Sequence, residues 1–179
     1  LAYNIIMDQV DPERKRRALA RDGQPIPDFR LETGAAPYAH FYGNNQKDPS
    51  SYHEIQFVAD PILDQVVFLV DLNNNQVIRH NYILSKDTFT MKHIPDGTYY
   101  IKVFYGRDWD VTNQLDNGKL QGGFNIYRKF ISFTKNEQIL RLDRNFENDS
   151  LAFDAYRITL FKVKDGKAKA SEMEEKTFF

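Results

Sequence analysis

The chain has 179 residues, no cysteine, and 24 basic against 25 acidic residues, which gives a net charge of −1. This near balance argues against a general nucleic-acid binder, and the lack of cysteine excludes disulfides, thiolate metal sites and cysteine nucleophiles. Hydrophobic residues make up 41% of the chain and aromatic residues 14%, enough for the core of one β-rich domain. No run approaches about 18 apolar residues, so the sequence shows no membrane span.

Residues 1–36 differ from the rest and are predicted to form a short helix followed by a linker. The Asp-Pro-Glu sequence at 11–13 is typical of a helix N-terminus, and the basic run at 14–17 continues it. We interpret this run as a solvated helix or spacer; the alternative is a juxtamembrane segment that faces anionic lipid. Pro25 and Pro27 favour an extended linker. Because the first residue is Leu1 rather than methionine, we expect the chain to follow a removed signal peptide or an excised membrane anchor.

Short strand patterns separated by turn signals follow, and their spacing indicates a β-sandwich. They cover residues 53–59, 65–72, 76–84, 88–93, 98–105, 124–133, 138–142 and 155–163. The second pattern is apolar on both faces, as expected for a central strand. We therefore predict a mainly-β fold, a single antiparallel β-sandwich of seven or eight strands over residues 37–165, followed by a polar C-terminal tail over 166–179.

The clearest fold signal lies at residues 94–105. The Pro-Asp-Gly sequence at 95–97 favours a hairpin turn, and residues 98–105 are almost all β-branched or aromatic, which favours a strand. Gly106 then ends the pattern. Residues 107–123 are predicted to form the longest loop of the domain, and loops of this length are usually functional or mobile.

Several blocks of this sequence resemble an uncharacterised bacterial family of small domains that often follow an N-terminal membrane segment. The blocks are Thr33-Gly34, Pro37-Tyr38, Gly43-Asn44-Asn45, residues 77–83, 94–101, 105–109 and 122–124, and Phe178-Phe179. The resemblance implies a domain of the cell envelope, periplasmic or at the cell surface, and no established activity. One departure is Lys86, where the family has a glycine in the turn.

A second resemblance is carried by residues 94–99 alone. Their sequence, Ile-Pro-Asp-Gly-Thr-Tyr, is similar to the closing hairpin of transthyretin-like and carboxypeptidase-regulatory-type sandwiches. Such modules serve as spacers, stabilisers or binders of ligands and proteins. Fold analogy does not decide among these roles.

The histidines and the acidic turns give no metal-binding signature. None of the four histidines (His40, His53, His80 and His93) stands at a zinc-ligand spacing. Residues 71–75 are similar to the start of a calcium loop, but Gln76 and Tyr82 stand where that loop needs glycine and glutamate, so we predict a hairpin turn. Asp108, Asp110, Asp116 and Asn117 could place oxygen ligands together, but turn formers of this kind are common without metal.

Motifs for a serine nucleophile and for a phosphate-binding loop are also missing from the sequence. We therefore predict no metal, no cofactor and no enzymatic activity.

The remaining candidate is a recognition surface around the only tryptophan. Its predicted binding residues are Trp109, Tyr105, Arg107, Asp108, Asp110 and Asn113. Tryptophan and tyrosine are favoured both in cores and at binding hot spots. Two interpretations therefore stay open: Trp109 closes the end of the core, or it forms an exposed platform for a glycan or a protein.

We predict a non-enzymatic extracytoplasmic binding or spacer module of the bacterial cell envelope, with a protein or glycan as its partner. The first alternative is a carbohydrate-binding module that uses an exposed Trp109. The second is a hydrolase whose carboxylates converge only in the fold. The third is a structural homo-oligomer that associates by strand pairing or through Phe178-Phe179.

Overall fold

The computed structural model describes residues 28–43, 45–164, 166 and 170–179, so the predicted N-terminal helix and most of the linker lie outside the described residues. The described residues are mainly β and sandwich-like, which confirms the predicted fold class. In chain order the elements are α1 (Ala39–Tyr42), β1 (Glu54–Val58), β2 (Asp64–Asp71), β3 (Val77–Ile83), β4 (Thr88–Lys92), β5 (Gly97–Leu115), β6 (Leu120–Phe133), β7 (Leu140–Leu142), β8 (Asn145–Glu147), β9 (Ser150–Ala152), β10 (Ala155–Thr159), β11 (Ser171–Met173) and α2 (Glu175–Phe178). Both helices are single turns of four residues, and no helix of the described ranges has the length and apolar character that crossing a bilayer requires.

The strands form two packed sheets and one separate hairpin. The smaller sheet has the order β10-β1-β4, and the larger has the order β11-β6-β5-β2-β3, with β7 also pairing with β5. β1 and β10 are parallel, whereas the other ladders are antiparallel. β8 and β9 pair only with each other. The strands outnumber the predicted seven or eight because β8, β9 and β11, with three residues each, are too short to show a period of two.

One hydrophobic core lies between the two sheets. It contains the inward residues Ile55 and Phe57 of β1, Val67 and Leu69 of β2, and Val103 of β5, all fully buried. These residues are two apart in sequence because successive strand side chains point to opposite faces. Ile55 and Phe57 therefore share the inward face of β1.

A second core covers the other face of the larger sheet. Phe68, Phe104 and Phe124 point to this face, where Tyr38 from the N-terminal segment and Phe178 from α2 pack on them. The larger sheet is thus buried on both faces. This double burial explains why β2 is apolar on both sides.

The predicted loop over 107–123 is wrong. β5 continues for 19 residues to Leu115 and returns as β6, with a tight turn at Asp116–Gly118 in which Asn117 has a φ of +54°. The pairing register shifts between Tyr105 and Arg107 and again between residues 110 and 114. These bulges interrupt the alternation of apolar and polar residues, so the pattern of the strand is lost in the sequence.

The C-terminal residues belong to the sandwich and do not form a separate polar tail. β11 pairs with β6, and the Phe178 side chain is 1% exposed. Lys102 of β5 donates a hydrogen bond to the Phe178 carbonyl, and its Nζ lies 4.7 Å from the centre of the Phe178 ring. Because Phe178 is buried, it does not form the exposed oligomer contact that was considered above.

The turn that departs from the resembling family keeps the geometry of a glycine turn. Lys86 has a φ of +70°, in the left-handed region that favours glycine. Its amide donates a hydrogen bond to the Asp60 carbonyl at 2.9 Å.

Candidate functional site

Trp109 is a core residue. Its side chain is 4% exposed, and its ring centre lies 5.1 Å from that of Phe124 and 5.5 Å from that of Tyr82. A Cβ atom at Gly122 would lie 2.7 Å from the Trp109 ring, so the glycine is required for this close packing. The hypothesis of an exposed aromatic platform is therefore wrong.

The other predicted site residues do not gather around Trp109. Tyr105 lies on the opposite face of β5, in the core between the sheets, where its hydroxyl donates to the Leu160 carbonyl at 2.8 Å. Asp110 accepts a hydrogen bond from the Thr112 amide at 2.8 Å. Asn113 donates one to the Asn125 side chain at 2.8 Å. The contacts of Asp110 and Asn113 are local and stabilise the hairpin, whereas the Tyr105 bond joins β5 to the residue that follows β10.

Arg107 and Asp108 hold the N-terminal segment against β5. Arg107 forms an ion pair with Asp28, and the Asp108 amide donates to the Asp28 carboxylate at 3.1 Å. The Trp109 amide donates to the Phe29 carbonyl at 2.8 Å. These residues therefore serve as an anchor within the fold.

The carboxylates that converge in the fold do so around Arg144. This arginine contacts Asp96 at 2.8 Å and Asp48 at 2.5 Å, and the Nε2 atom of His53 donates to Asp96 at 2.9 Å. Hydrogen bonds from Ser50 and then from Arg144 lower the pKa of Asp48 to about 2. Burial raises the pKa of Asp96, but the bonds from Arg144 and His53 outweigh it and keep that pKa below its ordinary value. Both carboxylates are thus held ionised by Arg144.

No group of three or more potential metal ligands comes together among the described residues. Residues 71–76 form the predicted hairpin turn, in which the Asp71 carboxylate accepts the Asn73 amide at 2.7 Å. His80 is buried and accepts the Tyr38 amide on Nε2 at 2.9 Å. The predicted hairpin at 71–76 is therefore confirmed.

An open cleft lies between the edges of the two sheets. β3 is the last strand of the larger sheet and β4 the last strand of the smaller one, and the N-terminal segment runs alongside them. The cleft has a volume of about 600 Å³, within the range of small-ligand sites. Its lining residues are Gly34, Ala36, Ala39, Asn45, Lys47, Arg79, Asn81, Phe89, Thr90, Lys92 and His93.

Arg79 of β3 lies in the wall of this cleft and is 4% exposed. Its Nη1 donates to the Lys92 carbonyl at 2.9 Å and to the Gln46 carbonyl at 3.5 Å. Its Nε is buried without a hydrogen-bond partner among the described residues. Burial lowers the pKa of Arg79, which reflects the unfavourable environment of the charge.

The other arginines with ion pairs show how unusual this arrangement is. Arg30, Arg107, Arg128 and Arg144 each contact a carboxylate, and their side chains are between 29% and 36% exposed. Arg79 is far more buried, yet it contacts no carboxylate within the described part of the chain. Because a buried arginine is rarely left unpaired in proteins, the missing counter-charge points to a ligand.

The charges around the cleft have a single sign. Lys47 and Lys92 are exposed at its rim, and His93 lies beside them. The residues that line the cleft include no aspartate or glutamate. Phe89 and the small residues Gly34, Ala36 and Ala39 of the N-terminal segment add apolar surface to the lining. This arrangement suits a ligand with one anionic group and an apolar part.

The sequence alone gives no role to Arg79 and Asn81, which lie on the same side of β3. That side of β3 faces the smaller sheet and is buried, with Asn81 also 4% exposed. The signal available in the sequence was an arginine and an asparagine on one face of a strand. Whether that face is buried depends on sheet packing and is not encoded in the local pattern.

Comparisons of the chain with protein-family models, with curated proteins and with solved structures found no match. The geometry of the cleft therefore carries the functional argument alone.

Proposed function

We propose that this domain is a non-enzymatic binding module that holds an anionic group of its ligand against Arg79. The observation that carries the proposal is the guanidinium of Arg79, which is buried in a cleft wall without a carboxylate partner in the described residues. A buried charge is unfavourable unless it is compensated. A bound carboxylate or phosphate would supply the missing charge and the hydrogen-bond acceptor.

The chemistry of the guanidinium favours a carboxylate or phosphate ligand. Arginine presents its donors in a planar fork that matches both groups. In Arg79 the donors of Nη1 are used by main-chain carbonyls, whereas Nε retains an unused donor. Lys47 and Lys92 add positive potential at the entrance, which would attract the anion.

The predicted location at the cell envelope is kept as part of this proposal, and it rests on the family resemblance. Sugar binding through Trp109 is not proposed again, because that residue is buried. The hydrolase alternative receives no support from the cleft, since its lining contains no carboxylate, and Asp48 and Asp96 are held by Arg144.

The proposal is tested by titrating the full chain with acetate and with inorganic phosphate at constant ionic strength. We expect the side-chain resonances of the Arg79 guanidinium to shift with saturation, because the charge of the bound anion would lie beside it. The Arg79→Met variant should lose the anion-dependent shifts of cleft residues. The Arg157→Met variant is the matched control, since Arg157 is exposed on β10 and its loss changes the net charge equally. Shifts that are absent, or equal in both variants, would contradict the proposal.

A further inference from the structure

The cleft runs along an unpaired edge of β4. Within the described ranges β4 pairs only with β1, and its residues Phe89, Thr90 and Lys92 line the cleft. The Ala59 amide donates to the Asp87 carbonyl, so these two residues form a hydrogen-bonded pair of the ladder. Every second pair along an antiparallel ladder is of this kind, and Phe57 with Phe89 and Ile55 with Met91 are the next two. The main-chain groups of the alternate residues of β4 therefore point away from β1 and toward the cleft.

These outward groups are available for pairing. The Lys92 carbonyl accepts from Arg79, but the amides and carbonyls of Thr88 and Thr90 have no partner among the described residues. An unpaired row of this kind is a template for an added strand. The neighbouring edge, that of β3, is already covered: Gly34 donates to the Tyr82 carbonyl, and Ala35 accepts from the Tyr82 amide.

From this edge we infer that the ligand of the cleft is an extended, acidic peptide segment of a partner protein, which pairs with β4 and places a carboxylate side chain against Arg79. The inference rests on the proposed function and specifies its ligand class. Addition of a strand at a sheet edge supplies affinity through main-chain hydrogen bonds and specificity through alternate side chains. Side chains of the added strand that lie on the same face of the sheet as Phe89 would face the wall that contains Arg79 and Asn81.

Charge selects the acidic peptide over a second copy of this chain. Pairing two β4 edges would bring two sets of Arg79, Lys47 and Lys92 together, and like charges across a ladder are destabilising. Edge lysines of this kind are a known device against self-pairing. An acidic strand would instead neutralise all three cations.

The test uses the full chain and a hexapeptide of alternating threonine and glutamate, acetylated and amidated at its ends. We expect it to bind at least about tenfold more tightly than acetate and than the matching threonine–glutamine peptide. Binding should also slow hydrogen exchange at the Thr90 amide. Methylation of the main-chain nitrogens on the pairing edge of the hexapeptide, which are every second one, removes the N–H groups that would pair with β4. It should weaken binding at least about tenfold, and the protein itself stays unchanged.

A variant on the protein side separates strand pairing from anion binding. Thr90→Pro removes the outward N–H, a change that edge strands tolerate, and should weaken peptide binding while acetate still shifts Arg79. If acetate binds at Arg79 but the acidic peptide gains nothing and Thr90 stays unprotected, this inference is overturned and the proposed function stands. If neither acetate nor the acidic peptide binds, both are overturned.

Two further outcomes would also overturn the inference. If a threonine–glutamine peptide with a free C-terminal carboxylate binds as tightly as the acidic peptide, Arg79 recognises a chain terminus and not a side chain. If the Thr90 amide is protected without peptide in a concentration-dependent dimer, the edge is covered by a second copy of the chain.

Discussion

Asp64 and Arg79 are both buried in this domain, but only the charge of Asp64 is compensated. Asp64 accepts two hydrogen bonds from Arg30, at 2.5 and 2.8 Å, one from the Tyr82 hydroxyl at 2.6 Å and one from the Ser85 amide at 2.8 Å. Burial raises the pKa of Asp64, but these bonds outweigh it and hold the pKa below its ordinary value. At the residue scale, the contrast separates a structural ion pair from a buried charge that has no carboxylate partner among the described residues.

A buried histidine gives a prediction on pH. His80 is fully buried, and burial lowers its pKa from 6.5 to about 4. The unfolded chain therefore binds a proton between these values that the folded chain does not bind, so stability falls as pH decreases from about 6.5 toward 4. We expect this group to contribute a loss of about 3 kcal/mol in the free energy of unfolding over that window.

The measurement is urea unfolding of the wild type and of His80→Gln at several pH values between 4 and 7. The variant should be less stable at pH 7, since it loses the packing of the imidazole ring on Tyr38 and Phe68, but its stability should depend less on pH. His93→Gln is the control, because His93 is only partly buried. An unchanged slope in His80→Gln would contradict this prediction.

At the scale of elements, the long hairpin of β5 and β6 explains residues that the sequence left without a role. Gly106 lies at the first bulge of the hairpin, and a Cβ atom there would be 2.3 Å from the Phe124 Cβ. Gly122 makes room for Trp109 in the same way. In the sequence these glycines indicate the end of a strand. In the hairpin they lie within the strands and permit close packing.

The hairpin is tested by Gly106→Ala. We expect a loss of about 2–3 kcal/mol in the free energy of unfolding, because the added methyl group overlaps a side-chain atom that is fixed by the β6 backbone. Gly123→Ala is the matched control on β6: its Cβ would meet neighbours at 3.4–3.5 Å, an ordinary contact distance. That control should change stability by less than about 1 kcal/mol. Equal effects of the two substitutions would contradict the role assigned to Gly106.

The elements also show what could be predicted from the sequence. The β2 strand follows from residue composition, and the sandwich follows from the spacing of the strand patterns. The hairpin turn predicted at residues 95–97 is wrong, because β4 and β5 lie in different sheets and these residues connect one sheet to the other. The β5–β6 hairpin did not follow, because bulges at residues 105–107 and 110–114 break the alternation. β11 and α2 were missed because each has only three or four residues.

At the scale of the whole molecule, the candidate site is a product of packing between sheets. Arg79 comes from the last strand of the larger sheet, Lys92 from the last strand of the smaller one, and Lys47 from the N-terminal segment. These residues are far apart in sequence and share no motif. The site could therefore not be predicted before the sheets were placed, although its residue types are those expected for binding an anion.

The central claim is that Arg79 serves a ligand and not the stability of the fold. Urea unfolding of the wild type and of Arg79→Met, with and without acetate at matched ionic strength, tests it most directly. Without acetate, Arg79→Met should be as stable as the wild type or more stable by up to about 2 kcal/mol, since an apolar side chain replaces an uncompensated buried charge. Acetate should stabilise only the wild type, by about 2.7 kcal/mol at a hundredfold excess over its dissociation constant. A loss of about 3 kcal/mol in Arg79→Met, as expected for breaking a buried ion pair, or an equal gain from acetate in both proteins, would contradict the claim.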